Sequence, residues 1–457
     1  MSAVDPRGVL PHVSKHQRRH RRPNDLILIL CAVFLGSVPR LVWAIRQIGI
    51  PGLNLGEAHN GAVGLALNGM ISSVYRPPNT VYPPDGLPTA HLLPIPVSIA
   101  AGVYHLFGID TPAATVVLTL LAVAVTMAGY VLFFYAFAAL GMSRGARLTA
   151  LFALCLIPLN IHLETEDFRF WEGGYAVMVA AALLLTLVTL HGRVAITWTE
   201  IFGLVLLNAL LFFISPQLGV AGYVCLGLLA LRRIPPRRWF GTGALAAIAL
   251  GIFIVPWTIR NEALLGKPIL LRSNLGLELA LAFHPAAVEG DGRTTFEQRY
   301  TDIHPNVTDK AYAKMRAAGG EDPYAEQLGQ TAKAWMNSHP QDVVRLGMRH
   351  LIEYAFPPSW VLQIFSSDPL RPRDYFWLAM TWFYSFAGLA GCVYAVLRLD
   401  SRYQYGVILL VVSALPFALV QPVTRYHFIM YDLSVFFSFV LLDRLATAAA
   451  WLRHRVV

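Results

Sequence analysis

Two acidic stretches and a few scattered arginines hold the side chains in this sequence that are able to do chemistry. "NLGEAHNGAVGLALNGM" (54–70) places a carboxylate, Glu57, two residues before an imidazole, His59. "HLETEDFRFWEGGY" (162–175) gathers His162, Glu164, Glu166, Asp167, Arg169 and Glu172. Arg260 and Arg272 lie in "PWTIRNEALLGKPILLRSNLG", and Arg425 precedes Tyr426 and His427 in "TRYHFIMYDLSVFFSF". A carboxylate takes a proton from a hydroxyl or an amine. A guanidinium fork matches the oxygens of a phosphate. Each group also has a plainer reading. Glu57 fits the first turn of a helix, where the dipole favours an acid by about 0.3–1 kcal/mol. His59 fits a polar helix face, and Glu172 with Arg169 an exposed ion pair of little worth. Arginines at span ends reach lipid headgroups, and a Tyr there suits an interfacial belt.

Which solvent these groups meet is set by the rest of the chain. Its 457 residues are 56% hydrophobic and only 14% charged, with a mean hydropathy of +0.53. Long uncharged runs such as 115–140, 176–190 and 244–255 come close to the roughly 20 residues a helix needs to cross hydrocarbon. The short alternating strands of a β-barrel are absent. Cys31, Cys155, Cys225 and Cys392 fall inside apolar runs at spacings that suit neither a metal knuckle nor a redox pair. The net charge of +9 sits in short connecting loops and forms no aromatic-interleaved basic patch, which excludes nucleic acid as a partner. "KHQRRHRRPND" runs straight into the first apolar segment, as a signal anchor does.

The positive-inside rule puts that basic tail in the cytoplasm and brings Glu57 out on the far face. The loops "MSRGAR" and "RRIPPRR" are both inside only if 91–107, with Pro94 and Pro96, lies on the outer surface instead of crossing. Spans then fall near 25–46, 112–140, 147–162, 174–191, 199–214, 217–231, 240–258, 375–397, 404–420 and 427–449. The expected architecture is an all-α polytopic membrane protein of about ten transmembrane helices. It has interfacial helices in the first outer loop and a large, mainly helical outer loop. The parts are a cytoplasmic basic tail (1–24), an N-terminal transmembrane module (25–258) with outer loops 47–111 and 163–173, an extracytoplasmic loop (259–373) and C-terminal transmembrane helices (374–457). Charges in mid-span are nearly absent, no Walker motif is present and no inverted repeat stands out, which argues against a transporter or channel.

In this order the outer motifs resemble the GT-C superfamily of membrane glycosyltransferases, in the branch of protein O-mannosyltransferases and aminoarabinose transferases. The carriers are "LGEAHNGAVGLALNGM", "LPIPVSIAAGVYHLFG", "PWTIRNEALLGKPILLRSNLG", "WMNSHPQDVVRLGMRHLIEYAFPP" and "TRYHFIMYDLSVFFSF". The family usually opens its first motif with an Asp-Glu pair, the Asp serving as base. Here the pair reads Gly56-Glu57.

The resemblance implies an inverting glycosyltransferase that moves a sugar from a polyprenyl-phosphate donor to a glycan, lipid or protein acceptor. It implies an extracytoplasmic site on the inner, cytoplasmic membrane of a bacterium. Glu57 or Glu172 is then the catalytic carboxylate, Arg260 and Arg425 the donor-phosphate ligands, and His59, Tyr426, His427 and Arg169 the pocket. Acid–x–acid spacing also occurs in metal-dependent oligosaccharyltransferases, so His162, Glu164 and Glu166 are candidate ligands for a divalent cation. No cofactor is required by the sequence. A polyprenyl-linked sugar flippase, or a relative with altered catalysis, is the rival reading.

Overall fold

The computed structural model describes residues 23–48, 56–72, 74–75, 86–157, 160–290, 292–363 and 369–456. Most of the basic tail, the opening of the first outer loop and the side chain of His162 lie outside that description.

The described chain is helical, with one isolated antiparallel bridge between Ser72 and Pro88. In order the helices are α1 (Pro23–Gln47), α2 (Glu57–Asn68), α3 (Pro94–Phe107), α4 (Pro112–Ala139), α5 (Arg144–Leu156) and α6 (Asn160–Thr165). Next come α7 (Gly173–His191), α8 (Trp198–Ile214), α9 (Pro216–Arg233) and α10 (Trp239–Leu265). Between residues 266 and 371 run α11 (Leu275–Ala282), α12 (Pro285–Glu289), α13 (Gly292–Ile303), α14 (Asp309–Ala317), α15 (Glu321–Ser338) and α16 (Pro340–Ala355). The chain closes with α17 (Pro372–Arg398), α18 (Tyr403–Ala414) and α19 (Thr424–Val456).

Local chemistry sets many of the starts. Thr111, Ser143 and Thr197 cap α4, α5 and α8 by accepting a hydrogen bond from the backbone N–H three residues on. Proline opens α3, α4, α9, α16 and α17, where its missing N–H has no helical partner to lose.

Each expected span overlaps a helix, the one at 147–162 divided between α5 and α6, and among the described residues six helices are long and apolar enough to cross a membrane: α1, α4, α7, α10, α17 and α19. The chain is therefore an all-α, multi-pass membrane protein. The other four expected spans, α5, α8, α9 and α18, do not meet that length and hydropathy together. α3 has 14 residues, about 21 Å of rise against a hydrocarbon core of about 30 Å.

Two hydrophobic cores form. One joins α1, α4, α5, α7, α8, α9 and the C-terminal helices. The other contains Ala58 and Ala62 of α2, Val97 and Ala100 of α3, and Leu277 and Leu281 of α11.

Mid-span charge is less rare than the sequence suggested. Arg40 of α1 is fully buried. It forms an ion pair with Glu164 of α6 and donates to the carbonyls of Gly36 and Cys155 at 2.6 Å each. The Tyr130 hydroxyl donates to the same carboxylate at 2.7 Å. Asp432 of α19 is fully buried as well, and among the described residues neither of its oxygens has a hydrogen-bond partner.

The end of α10 anchors the outer core. Gly266 closes the helix at φ +72°, a left-handed cap that favours glycine. The chain then turns back: Trp257 Nε1 donates to the Leu271 carbonyl at 2.8 Å and Asn261 Nδ2 to that of Ile269 at 2.7 Å. Arg260 donates to the carbonyls of Thr89 at 2.7 Å and Ile71 at 3.0 Å, so α10 holds the segment between α2 and α3.

Candidate functional site

Glu57 follows Gly56, whose extended backbone starts α2. Its carboxylate is 15% exposed and clamped between two imidazoles. Oε2 lies 3.2 Å from His91 Nε2 and Oε1 lies 2.9 Å from His304 Nε2. His304 Nδ1 accepts from the Asn306 N–H at 3.4 Å, which leaves Nε2 as the nitrogen that donates to Glu57. His91 Nδ1 sits 3.0 Å from the Tyr75 hydroxyl. Tyr300 stacks on His304 with centroids 4.1 Å apart, and Tyr75 meets the same ring edge-on.

Burial alone would raise the Glu57 pKa, but the charge of His91 and hydrogen bonds from both histidines outweigh it and hold the carboxyl well below its usual range. Burial likewise depresses His91, and Glu57 overcomes it, so that imidazole is raised. Nearby Glu278 of α11 is raised by burial and then by the Glu57 charge. Tyr300 is raised well above its usual value by burial and by Glu57.

A second group adjoins the first. Glu172, just before α7, accepts from Arg272 Nη2 at 3.1 Å. Arg425, at the start of α19, lies over the Trp171 ring at 3.7 Å and 5.3 Å from the centroid of Tyr426. Glu172 is held below its usual range because Arg272 and then Arg425 outweigh the burial that would raise it. Among the described residues, Nε of both Arg272 and Arg425 is buried without a hydrogen-bond partner. Glu278 and Tyr300 feel the charges of both Glu57 and Arg425, which makes the two groups one electrostatic cluster.

The other residues picked out in the sequence go elsewhere. His59 is buried, with Nε2 2.8 Å from Asp110 Oδ1, and packs against Tyr104 and Phe170. Residues two apart on a helix point to different faces, so His59 braces α2 while Glu57 meets the histidines. Arg169 is buried and donates to the Thr119 hydroxyl at 3.0 Å, and Glu172 takes Arg272 as its ion partner instead. His427 Nδ1 donates to the Tyr354 carbonyl. Tyr426 packs on Phe417 at 5.0 Å. Arg260 is committed to backbone carbonyls and to the Asn261 side chain at 2.9 Å.

Of the residues in the divalent-cation reading of 162–166, His162 has its side chain outside the described residues, and the two glutamates have protein partners. The Glu164 carboxylate is taken by Arg40 and Tyr130, and Glu166 accepts from Trp43 Nε1 at 2.7 Å. Among the described residues no group of three or more His, Cys, Asp and Glu is arranged to hold a metal ion.

Tyr75, His91, Arg272 as a partner of Glu172, Glu278, Tyr300 and His304 are the members that the sequence did not single out for these roles. They come from four separated segments; Arg272 lies within the "PWTIRNEALLGKPILLRSNLG" motif and His91 heads the Pro-rich stretch before α3.

No family model matches the chain, and no curated protein matches it. Among solved structures, the oligosaccharyltransferase AglB from Archaeoglobus fulgidus, in complex with an inhibitory peptide and a dolichol-phosphate, aligns over 94% of this chain at 13% identity with a TM-score of 0.52. The chain spans about half of that protein, 51% of its length. The apo form of the Archaeoglobus fulgidus oligosaccharyltransferase aligns over 94% of this chain and 51% of its own, at 12% identity and a TM-score of 0.46. ArnT from Cupriavidus metallidurans, bound to undecaprenyl phosphate, aligns over 93% of this chain and 79% of its own, at 13% identity and a TM-score of 0.35. The likeness to AglB is one of fold.

Proposed function

We propose that the protein is an inverting glycosyltransferase that uses a polyprenyl-phosphate sugar on the outer face of a cytoplasmic membrane. The acceptor oxygen or nitrogen attacks the anomeric carbon. The bond from that carbon to the phosphate oxygen breaks on the opposite side, and polyprenyl phosphate leaves. The acceptor proton passes to Glu57, whose two oxygens keep further lone pairs beyond those used by His91 and His304. The histidines fix the carboxylate's orientation, so that less freedom is lost when the acceptor arrives.

The observation that carries this reading is the convergence of a clamped carboxylate with two guanidiniums whose Nε groups are buried and unfilled. Buried N–H donors without partners are costly, and a phosphate oxygen would satisfy them. Arg272 and Arg425 thus take the donor phosphate, and Arg260 positions the loop beneath. The fold supports the ligand class, since AglB was solved with a dolichol-phosphate. A flippase would need no clamped carboxylate at the phosphate's side.

The test is release of free polyprenyl phosphate from a panel of labelled polyprenyl-phosphate sugars, with purified protein and an envelope extract as acceptor. Release from at least one donor supports the transferase. Transbilayer movement of a donor without its cleavage would favour the flippase.

A further inference from the structure

A cavity of about 310 Å³ is lined by residues of the second core, Tyr75 among them. Its size is at the low end of the roughly 300–1,000 Å³ of small-molecule sites. One wall is aliphatic, formed by Leu264, Leu265, Leu87 and Met315. The polar part of the lining is Thr89, Ser273, Glu321, Asp322 and Lys267.

The polar wall is built. Glu321 accepts from the hydroxyls of Thr89 and Ser273 at 2.6 Å each, one on each carboxylate oxygen. That fixes the carboxylate and leaves each oxygen capacity for one more donor. Gly319 and Gly320, at φ +94° and +118°, make the turn that delivers Glu321 to the rim, and any side chain there would be strained. Lys267 is held by Asp322 at 2.7 Å and by Glu326 at 2.8 Å, so it offers no free cation. Two carboxylates against one ammonium leave the lining with one net negative charge, which repels a phosphate or carboxylate. A cation would use the acids and leave the aliphatic wall idle. Oriented acceptors in the same cavity as aliphatic side chains match a ring with hydroxyls at its edge and C–H groups on its face.

We propose that this cavity binds the ring of a neutral sugar and that it is the acceptor subsite. The second half rests on the transferase reading above. Tyr75 is the partition: it lines the cavity, and its hydroxyl meets His91, which meets Glu57. An acceptor seated in the cavity is therefore linked through Tyr75 and His91 to the carboxylate that takes its proton.

The test uses the full chain with Cys31→Ala and a reporter, Pro323→Cys, at the cavity wall. Maleimide labelling is timed alone and with methyl glucoside, methyl mannoside, methyl galactoside, ethanolamine or inorganic phosphate. A methyl hexoside should slow labelling several-fold, whereas ethanolamine and phosphate leave it unchanged. Glu321→Gln in the same background should cancel that protection while the unprotected rate holds. Leu264→Trp, which fills the cavity without breaking a hydrogen bond, should do the same. Protection by ethanolamine or phosphate, or by none of the probes, overturns the proposal. Donor cleavage is followed in parallel. Protection without cleavage leaves a sugar site and removes the acceptor role, and cleavage without protection leaves the transferase and removes the site.

Discussion

Arg260 separates loop anchoring from donor binding. The family resemblance assigns it to the donor phosphate, whereas its guanidinium donates to the carbonyls of Thr89 and Ile71. A hydrogen bond from a charged donor is worth about 1.5–3 kcal/mol, so losing both sets a ceiling near 3–6 kcal/mol. The guanidinium is only partly buried, and water replaces some of what is lost, which brings the expected cost of Arg260→Gln to about 2–3 kcal/mol. That loss falls on the 71–90 segment. Hydrogen exchange of amides between residues 86 and 92 should speed up by about thirty- to a hundredfold, at 1.4 kcal/mol per factor of ten. Affinity for free undecaprenyl phosphate, measured by competition, should stay within about threefold under conditions where the variant is folded. Unchanged exchange with a tenfold loss of affinity would refute the anchoring role and return Arg260 to the phosphate.

Arg272→Gln or Arg425→Gln should each weaken undecaprenyl phosphate binding by about ten- to a hundredfold, the loss of one charge-assisted contact; full affinity in both variants would remove them from the donor site. Arg40→Met or Glu164→Gln should each cost about 3–5 kcal/mol of stability by leaving a buried partner unpaired, and Arg40→Met with Glu164→Gln should cost less than the sum of the two single changes. Additive losses in the melts would show that the two do not act as a pair. Stability should also follow the clamp. Glu57 is depressed, so its contribution is present above the ordinary carboxylate range and fades as pH falls through its low value; His91 is raised, so its contribution fades as pH climbs above about 6.5 through its raised value. The fall in melting temperature on the alkaline side should flatten in His91→Asn, and parallel curves for the two proteins would contradict the clamp.

What the sequence showed and what it hid divide along physical lines. Apolar runs announce helices because hydrocarbon demands them, and each expected span overlaps a helix. Pro94 opens α3 and Glu57 opens α2 as local rules require. Long-range partners leave no such trace. Nothing near Glu57 points to His304, which arrives from the end of α13. In the "PW-x-x-RN" motif Trp257, Arg260 and Asn261 each bind backbone carbonyls, a job that residue type alone does not distinguish from binding phosphate. The density of acids in "HLETED" suggested a wetted or metal-binding loop. Glu164 is instead the counterion of a mid-span arginine, a demand set by α1, far away in sequence. His59 drew notice by lying close to Glu57 in sequence, yet helical geometry turns it to Asp110.

The most direct measurement compares the wild-type chain with Glu57→Gln, reading the rate of polyprenyl phosphate release at saturating donor together with donor affinity. The amide keeps the size of the carboxyl group but cannot accept the acceptor's proton. Turnover should fall by about 10²-fold or more while donor affinity stays within about threefold. A Glu57→Gln protein that is folded and turns over at the wild-type rate would contradict the account and leave the carboxylate clamp without a part in the chemistry.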